Sequence, residues 1–163
     1  MVDWFVRNVR DLRWRTHDKF GAAGSFEPEY GGFDQLGINI RVLEPGQPNC
    51  LYHRENLQED FLVLSGECLL LIDCEERPLK AWDFVHMPPD VDHVFVGAGE
   101  GPCTILMVGA RSPDEKLFYP AAEIARKHGA AAEEDTPSPE EAYAPFGERH
   151  EGRPASWDTL PWA

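Results

Sequence analysis

Residues 53–66 read His53-Arg-Glu55-Asn-Leu-Gln-Glu59-Asp-Phe-Leu-Val-Leu-Ser-Gly66, and a second patterned stretch follows, with Pro88 and then His93 five residues later. On a β-strand, residues two apart project to the same face, so His53 and Glu55 stand side by side, roughly 7 Å apart along the chain. Glu59 keeps that parity if the strand continues, and a later strand then has to bring His93 alongside. An imidazole or carboxylate buried without a partner costs several kcal/mol, yet these four lie among Leu, Val, Ile and Phe. A bound divalent cation would supply the partner.

The surrounding sequence is patterned as strands. Leu36, Ile38, Ile40 and Val42 alternate with Gly37, Asn39, Arg41 and Leu43, and Glu44-Pro45-Gly46 supplies a turn. Further strand-like runs fall at 51–54, 60–64, 68–73, 78–80, 83–87, 93–96 and 103–109, separated by turn clusters such as Ser65-Gly66-Glu67 and Pro88-Pro89-Asp90. Many short strands at regular spacing, without a helical pattern among them, describe an all-β sandwich or barrel.

Composition narrows the partners. The chain has 163 residues, a net charge of −14 and only 15 Lys and Arg, a balance that argues against nucleic acid and anionic membranes and favours a small-molecule ligand. No apolar run reaches the roughly 20 residues of a membrane span, and the first residues lack a signal-peptide core, so a cytoplasmic location is expected. Cys50, Cys68, Cys74 and Cys103 form no Cys-x-x-Cys pair and read as reduced thiols, Cys50 being the one that could join a metal site. There is no Ser-His-Asp arrangement, phosphate loop or nucleic-acid motif.

The flanks differ from the strand-rich middle. Residues 1–35 form a mixed lead-in in which Arg7, Arg10, Arg13 and Arg15 are interleaved with Trp4, Val9, Leu12 and Trp14; in so acidic a chain these arginines are expected to pair with its own carboxylates. Residues 36–111 hold the strands. Residues 112–163 carry two short helical patterns, over Pro120 to His128 with Gly129 as the stop, and from Ser138 to about Tyr143 with a capping start. A Pro- and Gly-rich arm ending in Trp157 and Trp162 follows. Exposed tryptophan is a liability, so the arm should pack on the barrel or on a second subunit, and a homodimer is expected.

These motifs resemble those of the cupins, whose double-stranded β-helix carries Gly-(x)5-His-x-His-(x)3,4-Glu-(x)6-Gly and then Gly-(x)5-Pro-x-Gly-(x)2-His-(x)3-Asn. His53, Glu59, Gly66, Pro88 and His93 fit, although Gly46 stands one residue too far from His53. The resemblance covers about residues 36 to 110. It implies an all-β jelly-roll barrel, with the C-terminal helices as a short extension. Three departures matter: Glu55 replaces the second His of the first motif, Trp82 and Asp90 stand where glycines are usual, and Gly97 stands at the Asn position. Asp tolerates a left-handed backbone and Trp does not, so the turn at Trp82 is expected to be built differently.

The resemblance implies a divalent transition metal, Fe, Mn, Ni, Co or Zn, held by His53, Glu59 and His93, with Glu55 as a fourth ligand or a catalytic general base. His53, Glu55 and His93 could also be read as the facial triad of an Fe(II)/2-oxoglutarate oxygenase, but no basic residue for the cosubstrate lies between His93 and Arg111. Phe61 and Phe95 are expected to wall the substrate pocket. Arg41 is placed there too, as an anchor for a carboxylate or phosphate, against the alternative of a solvated Arg on the outer face. Tyr52, Trp82 and His86 could line the mouth. The function expected is that of a metal-dependent dioxygenase- or isomerase-type enzyme acting on a small oxygenated metabolite. The alternative is a non-catalytic barrel that binds a sugar or small acid as a sensor or regulator.

Overall fold

The computed structural model of the chain describes residues 4–163, so the first three residues of the lead-in lie outside it. The strands are β1 (Arg13–His17), β2 (Gly21–Ser25), β3 (Leu36–Leu43), β4 (Arg54–Glu55), β5 (Glu59–Ser65), β6 (Glu67–Ile72), β7 (Glu75–Lys80), β8 (Phe84–Met87), β9 (His93–Ala98), β10 (Cys103–Ala110), β11 (Leu117–Phe118) and β12 (His150–Glu151). Helices α1 (Glu123–Arg126) and α2 (Pro139–Tyr143) follow β11. The strands form a large sheet in the order β12-β1-β2-β3-β10-β5-β8, a small sheet β7-β6-β9, and the pair β11-β4. The large and small sheets close on a shared core of Leu43, Phe61, Val63, Leu70, Phe95 and Ile105, the all-β barrel expected from the strand pattern and the double-stranded β-helix implied by the resemblance.

The lead-in contributes more than a lead-in. β1 and β2 pair antiparallel, and β2 continues onto β3, which extends the large sheet. The sequence Gly-Ala-Ala-Gly-Ser in β2 carries little strand propensity, but its small size is what the site needs: a Cβ at Gly24 would press on the Trp14 ring. Of the arginines in this stretch, Arg13 pairs with Glu29, whereas Arg7 and Arg15 donate to backbone carbonyls of Glu27 and Arg149.

The extension wraps the barrel on two sides. Trp157, Leu160 and Trp162 pack on Trp14, Ile40 and Val42, covering the outer face of the large sheet. Of the two placements expected for the arm, the structure shows the one on its own barrel. Ala125 and Ala130, in and after α1, pack on Leu71 and Val94 of the small sheet. Helix α1 is a single turn, shorter than its sequence pattern, because Ala122 at its start offers no side-chain cap. Ser138 does cap α2, accepting from the Glu141 N–H. No helix among the described residues is long and apolar enough to cross a membrane.

Two turns carry the motif residues. Gly66 has φ 73°, and a Cβ there would collide with the Pro102 carbonyl. Asp90 keeps the left-handed turn, at φ 68°, as expected. Trp82 corrects the expectation: it also adopts the left-handed backbone, at φ 74°. Its N–H donates to Val63 O, the Asp83 N–H donates to Lys80 O, and the indole projects outward, 73% exposed, so the turn is held by its backbone and no neighbour crowds the side chain.

Candidate metal centre

The two histidines are brought together by backbone pairing. His53 and His93 form an isolated antiparallel bridge, with N–H to O distances of 3.2 and 2.8 Å, so their rings project together and lie 5.0 Å apart. Each ring is then oriented by its own chain. His53 Nδ1 lies 2.8 Å from Leu51 O and His93 Nδ1 lies 3.0 Å from Val91 O. A carbonyl can only accept, so each Nδ1 carries a proton and each Nε2 faces the barrel interior.

Glu59 begins β5, between Gly109 of β10 and Met87 of β8, and its Oε2 lies 3.1 Å from His93 Nε2. Donor atoms of His53, Glu59 and His93 all fall within 4.8 Å of one another. Two imidazole nitrogens, each ring oriented from behind, and one carboxylate oxygen suit a divalent transition metal and leave positions open for ligand or water. The surroundings of His53 favour positive charge: burial opposes it, but Cys50 on one side and Glu55 and Glu59 on the other outweigh burial and raise the His53 pKa well above the imidazole range. Nε2 therefore takes up either a proton or a metal ion, and metal binding there displaces the proton.

Glu55 faces the same space, with Oε1 3.5 Å from His53 Nε2, but it stands outside the group of three converging donors. The oxygenase-type triad would need Glu55 in that group; the structure gathers Glu59 there. Arg111, the first basic residue after His93, is already engaged by both carboxylate oxygens of Glu27. Cys50 lies 3.6 Å from His53 Nδ1, the nitrogen facing away from the donor cluster.

The cavity at these donors has a volume of about 270 Å3. Phe61 forms part of its wall, and its ring sits 5.6 Å from that of His93. Phe95 lies one layer deeper, its ring 4.7 Å from Phe61 and fully buried, because the side chains of β5 and β10 fill the space between it and the chamber. Arg41 points inward and lines the cavity, together with Asn39 from the same face of β3. Tyr52, Trp82 and His86 do not line it: Tyr52 is in the core against Leu71 and Val94, Trp82 is at its exposed turn, and His86 Nδ1 donates to Asp60 Oδ1 at 2.7 Å on the outer surface.

Sequence reasoning missed the residues that the extension brings in. Tyr119 stacks on His53 at 5.7 Å, and Glu115 and Tyr143 complete the wall. Burial first, and then the charge of Glu55, raises the pKa of Glu115. The hydroxyl of Tyr143 accepts the Leu51 N–H at 2.9 Å, beside the carbonyl that orients His53. The only signal these residues offered was their aromatic and acidic character in an otherwise small-residue segment.

The imidazole and carboxylate cluster faces into a double-stranded β-helix, an arrangement that could hold a metal ion. Residues 39–109 match the family model of the cupin domain, and the fold of this stretch agrees with that match. Among solved structures, a sugar phosphate isomerase of the cupin superfamily from Silicibacter pomeroyi is 26% identical, with a TM-score of 0.61, over 71% of this chain and 82% of that one. A candidate sugar phosphate isomerase from Acidithiobacillus ferrooxidans is 27% identical, with a TM-score of 0.50, over 52% of this chain and 55% of that one. This chain therefore spans little more than half of the latter protein. A polyketide cyclase from Streptomyces resistomycificus shares the fold at 15% identity and a TM-score of 0.59, over 69% and 84% of the two chains. No curated protein matches the sequence.

Proposed function

We propose that the chain is a metal-dependent cupin enzyme that binds a small oxygenated metabolite and acts on it as an isomerase. The observation that carries this reading is the convergence of His53, Glu59 and His93, with both imidazoles fixed so that Nε2 faces the same point. A divalent metal held by His53, Glu59 and His93 would supply Lewis acidity toward a substrate oxygen. The chain supplies the rest. Glu55 offers a carboxylate at the edge of the cluster, placed to take a proton from a carbon or hydroxyl beside the polarised oxygen. Glu115, with its raised pKa, holds a proton more readily and faces the same chamber. Phe61 and Tyr119 exclude water on two sides. The sugar phosphate isomerase from Silicibacter pomeroyi supports isomerisation over oxygen chemistry.

The test is elemental analysis of untagged protein, followed by turnover assays on aldose, ketose and hydroxy-acid panels. About one equivalent of a transition metal is expected, and Glu55→Gln should keep it while abolishing turnover. Less than about a tenth of an equivalent, even after incubation with excess ions, ends the metal reading. The position of Glu55 outside the donor cluster favours a second reading, a non-catalytic sugar- or acid-binding barrel. Full metal occupancy, tight ligand binding and no turnover by the wild type would select it.

A further inference from the structure

Arg41 stands in an environment that its charge does not explain. It lies in the middle of β3, flanked by Ala23 of β2 and Ile105 of β10, and its side chain enters the barrel. Its Nε and Nη1 are shielded from solvent and have no hydrogen-bond acceptor in the protein, and Asn39 Oδ1 beside it is also unpaired. The residue as a whole is half-buried, and the burial of its guanidinium lowers its pKa. A second cavity of about 290 Å3 adjoins the metal chamber, sharing Arg41, Cys50 and Tyr143 with it, and its far wall is Arg149. Arg149 comes from the extension and makes one hydrogen bond through its side chain, from Nη1 to Gly21 O. Burial and then the charge of Arg41 bring its pKa down to about 10. In a chain with 29 acidic and 15 basic residues, neither arginine has a carboxylate within ion-pair distance among the described residues.

Two guanidinium groups that repel each other and lack a counter-charge are costly unless an anion joins them. Tyr143 adds a donor. Its hydroxyl oxygen accepts from Leu51, so its own proton is free, and burial keeps that proton on by raising the pKa. We infer that Arg41, Arg149 and the Tyr143 hydroxyl form an anion seat beside the metal chamber, which takes the phosphate or carboxylate of the substrate while its oxygenated end reaches the donor cluster. The unpaired Asn39 oxygen would accept from a substrate hydroxyl, so the substrate class is a small hydroxylated anion. This rests on the chamber being a substrate site, and it adds a role for the extension, which supplies two of the three donors. A planar guanidinium matches both anions through paired N–H groups, so the donors do not choose between them.

The experiment is calorimetric titration of the full chain, as purified and after EDTA treatment, with inorganic phosphate and with malonate as separate probes. EDTA-treated protein removes the metal as an alternative seat. One probe is expected to bind at one equivalent in both preparations, and the stronger of the two identifies the substrate as phosphorylated or carboxylated. Arg41→Met should weaken that binding at least tenfold and Arg149→Met severalfold, with metal content unchanged in both. Arg41→Met removes a buried charge that has no acceptor, so it should melt no lower than the wild type. Arg41→Lys keeps the charge, loses the fork and should bind at an intermediate level. Bound probe should raise the melting temperature of the wild type and leave that of Arg41→Met in place. Absence of saturable binding by the wild type, or wild-type affinity in both Met variants, overturns the seat. If metal is bound and neither anion is, the seat alone fails; if an anion binds and no metal does, the metal reading fails and the seat stands.

Discussion

The barrel from Leu36 to Ala110 and the extension after Arg111 meet at one chamber but are held by different forces. In the barrel, each metal donor sits on or beside a ladder of backbone hydrogen bonds, and His53 and His93 bond directly to each other's backbone. In the extension, the regular elements are two two-residue strands, a single helical turn, a five-residue helix and a 3-10 turn at Trp157–Thr159. Apart from the two-residue pairings of β11 with β4 and of β12 with β1, side chains hold it in place: Trp157, Leu160 and Trp162 on the large sheet, Ala125 and Ala130 on the small one. Ladders fix donors to within the fractions of an ångström that metal ligation needs. Packed aromatics are enough for a wall, and a wall can differ between relatives that share the donors.

Removing the arm gives the largest way to break this contrast. Deletion of residues 145–163 strips the cover from Trp14, Ile40 and Val42, and should cost roughly 3–5 kcal/mol or more, the range for losing one large buried aromatic. Urea denaturation reads it, and metal content should survive; an unchanged midpoint would show that the arm is not part of the packed structure. Glu59→Gln is the opposite case. It keeps the shape and removes the charge, so metal affinity should fall by at least about 100-fold, while stability changes by less than about 1 kcal/mol. Full occupancy in this variant would remove Glu59 from the site.

Tyr143→Phe sharpens the boundary between the two regions. It leaves the Leu51 N–H without an acceptor and should cost about 1–2 kcal/mol, visible as a lower midpoint with metal content unchanged. No change would mean that the hydroxyl does not join extension to barrel. The smallest effect concerns the outer face of β5. The hydrogen bond from His86 holds the Asp60 carboxyl below the usual range. Because the folded pKa is the lower one, the stabilisation is complete above the carboxylate pKa of the unfolded chain, about 3.9, and is lost as pH falls through the folded value. His86→Ala should therefore raise the Asp60 pKa in an NMR titration and flatten the acid end of the stability profile. A titration curve for Asp60 that does not move would count against it.

The donors His53, Glu59 and His93 were legible because strand parity and motif spacing are local, and a ladder converts both directly into position. Arg41 shows where that logic stops. Asn39 and Arg41 alternate with Ile38, Ile40 and Val42, and alternation fixes two faces without saying which is inside. Here the apolar face looks outward, under the tryptophan arm, and the polar face looks into the chamber. Only a contact more than 100 residues away decides between them. The strands β1 and β2 were hidden for a related reason, since a run of Gly and Ala becomes a strand only when a Trp lies over it. Glu115, Tyr119 and Tyr143 reach the site through packing of the extension, which leaves no periodic trace.

The pairing of β12 with β1 also bears on the order in which the molecule assembles. Arg15 opposes Glu151 and Thr16 opposes His150, so the edge of the large sheet is closed by residues some 135 positions apart. Joining such distant points needs a large loop to close, whereas His53, Glu59 and His93 span only a short stretch of chain. The donor cluster can therefore form while the chamber is still open on the side of the extension. An ion arriving then would meet a wide entrance, and the packing of Glu115, Tyr119 and Tyr143 would complete the chamber wall around a site already loaded.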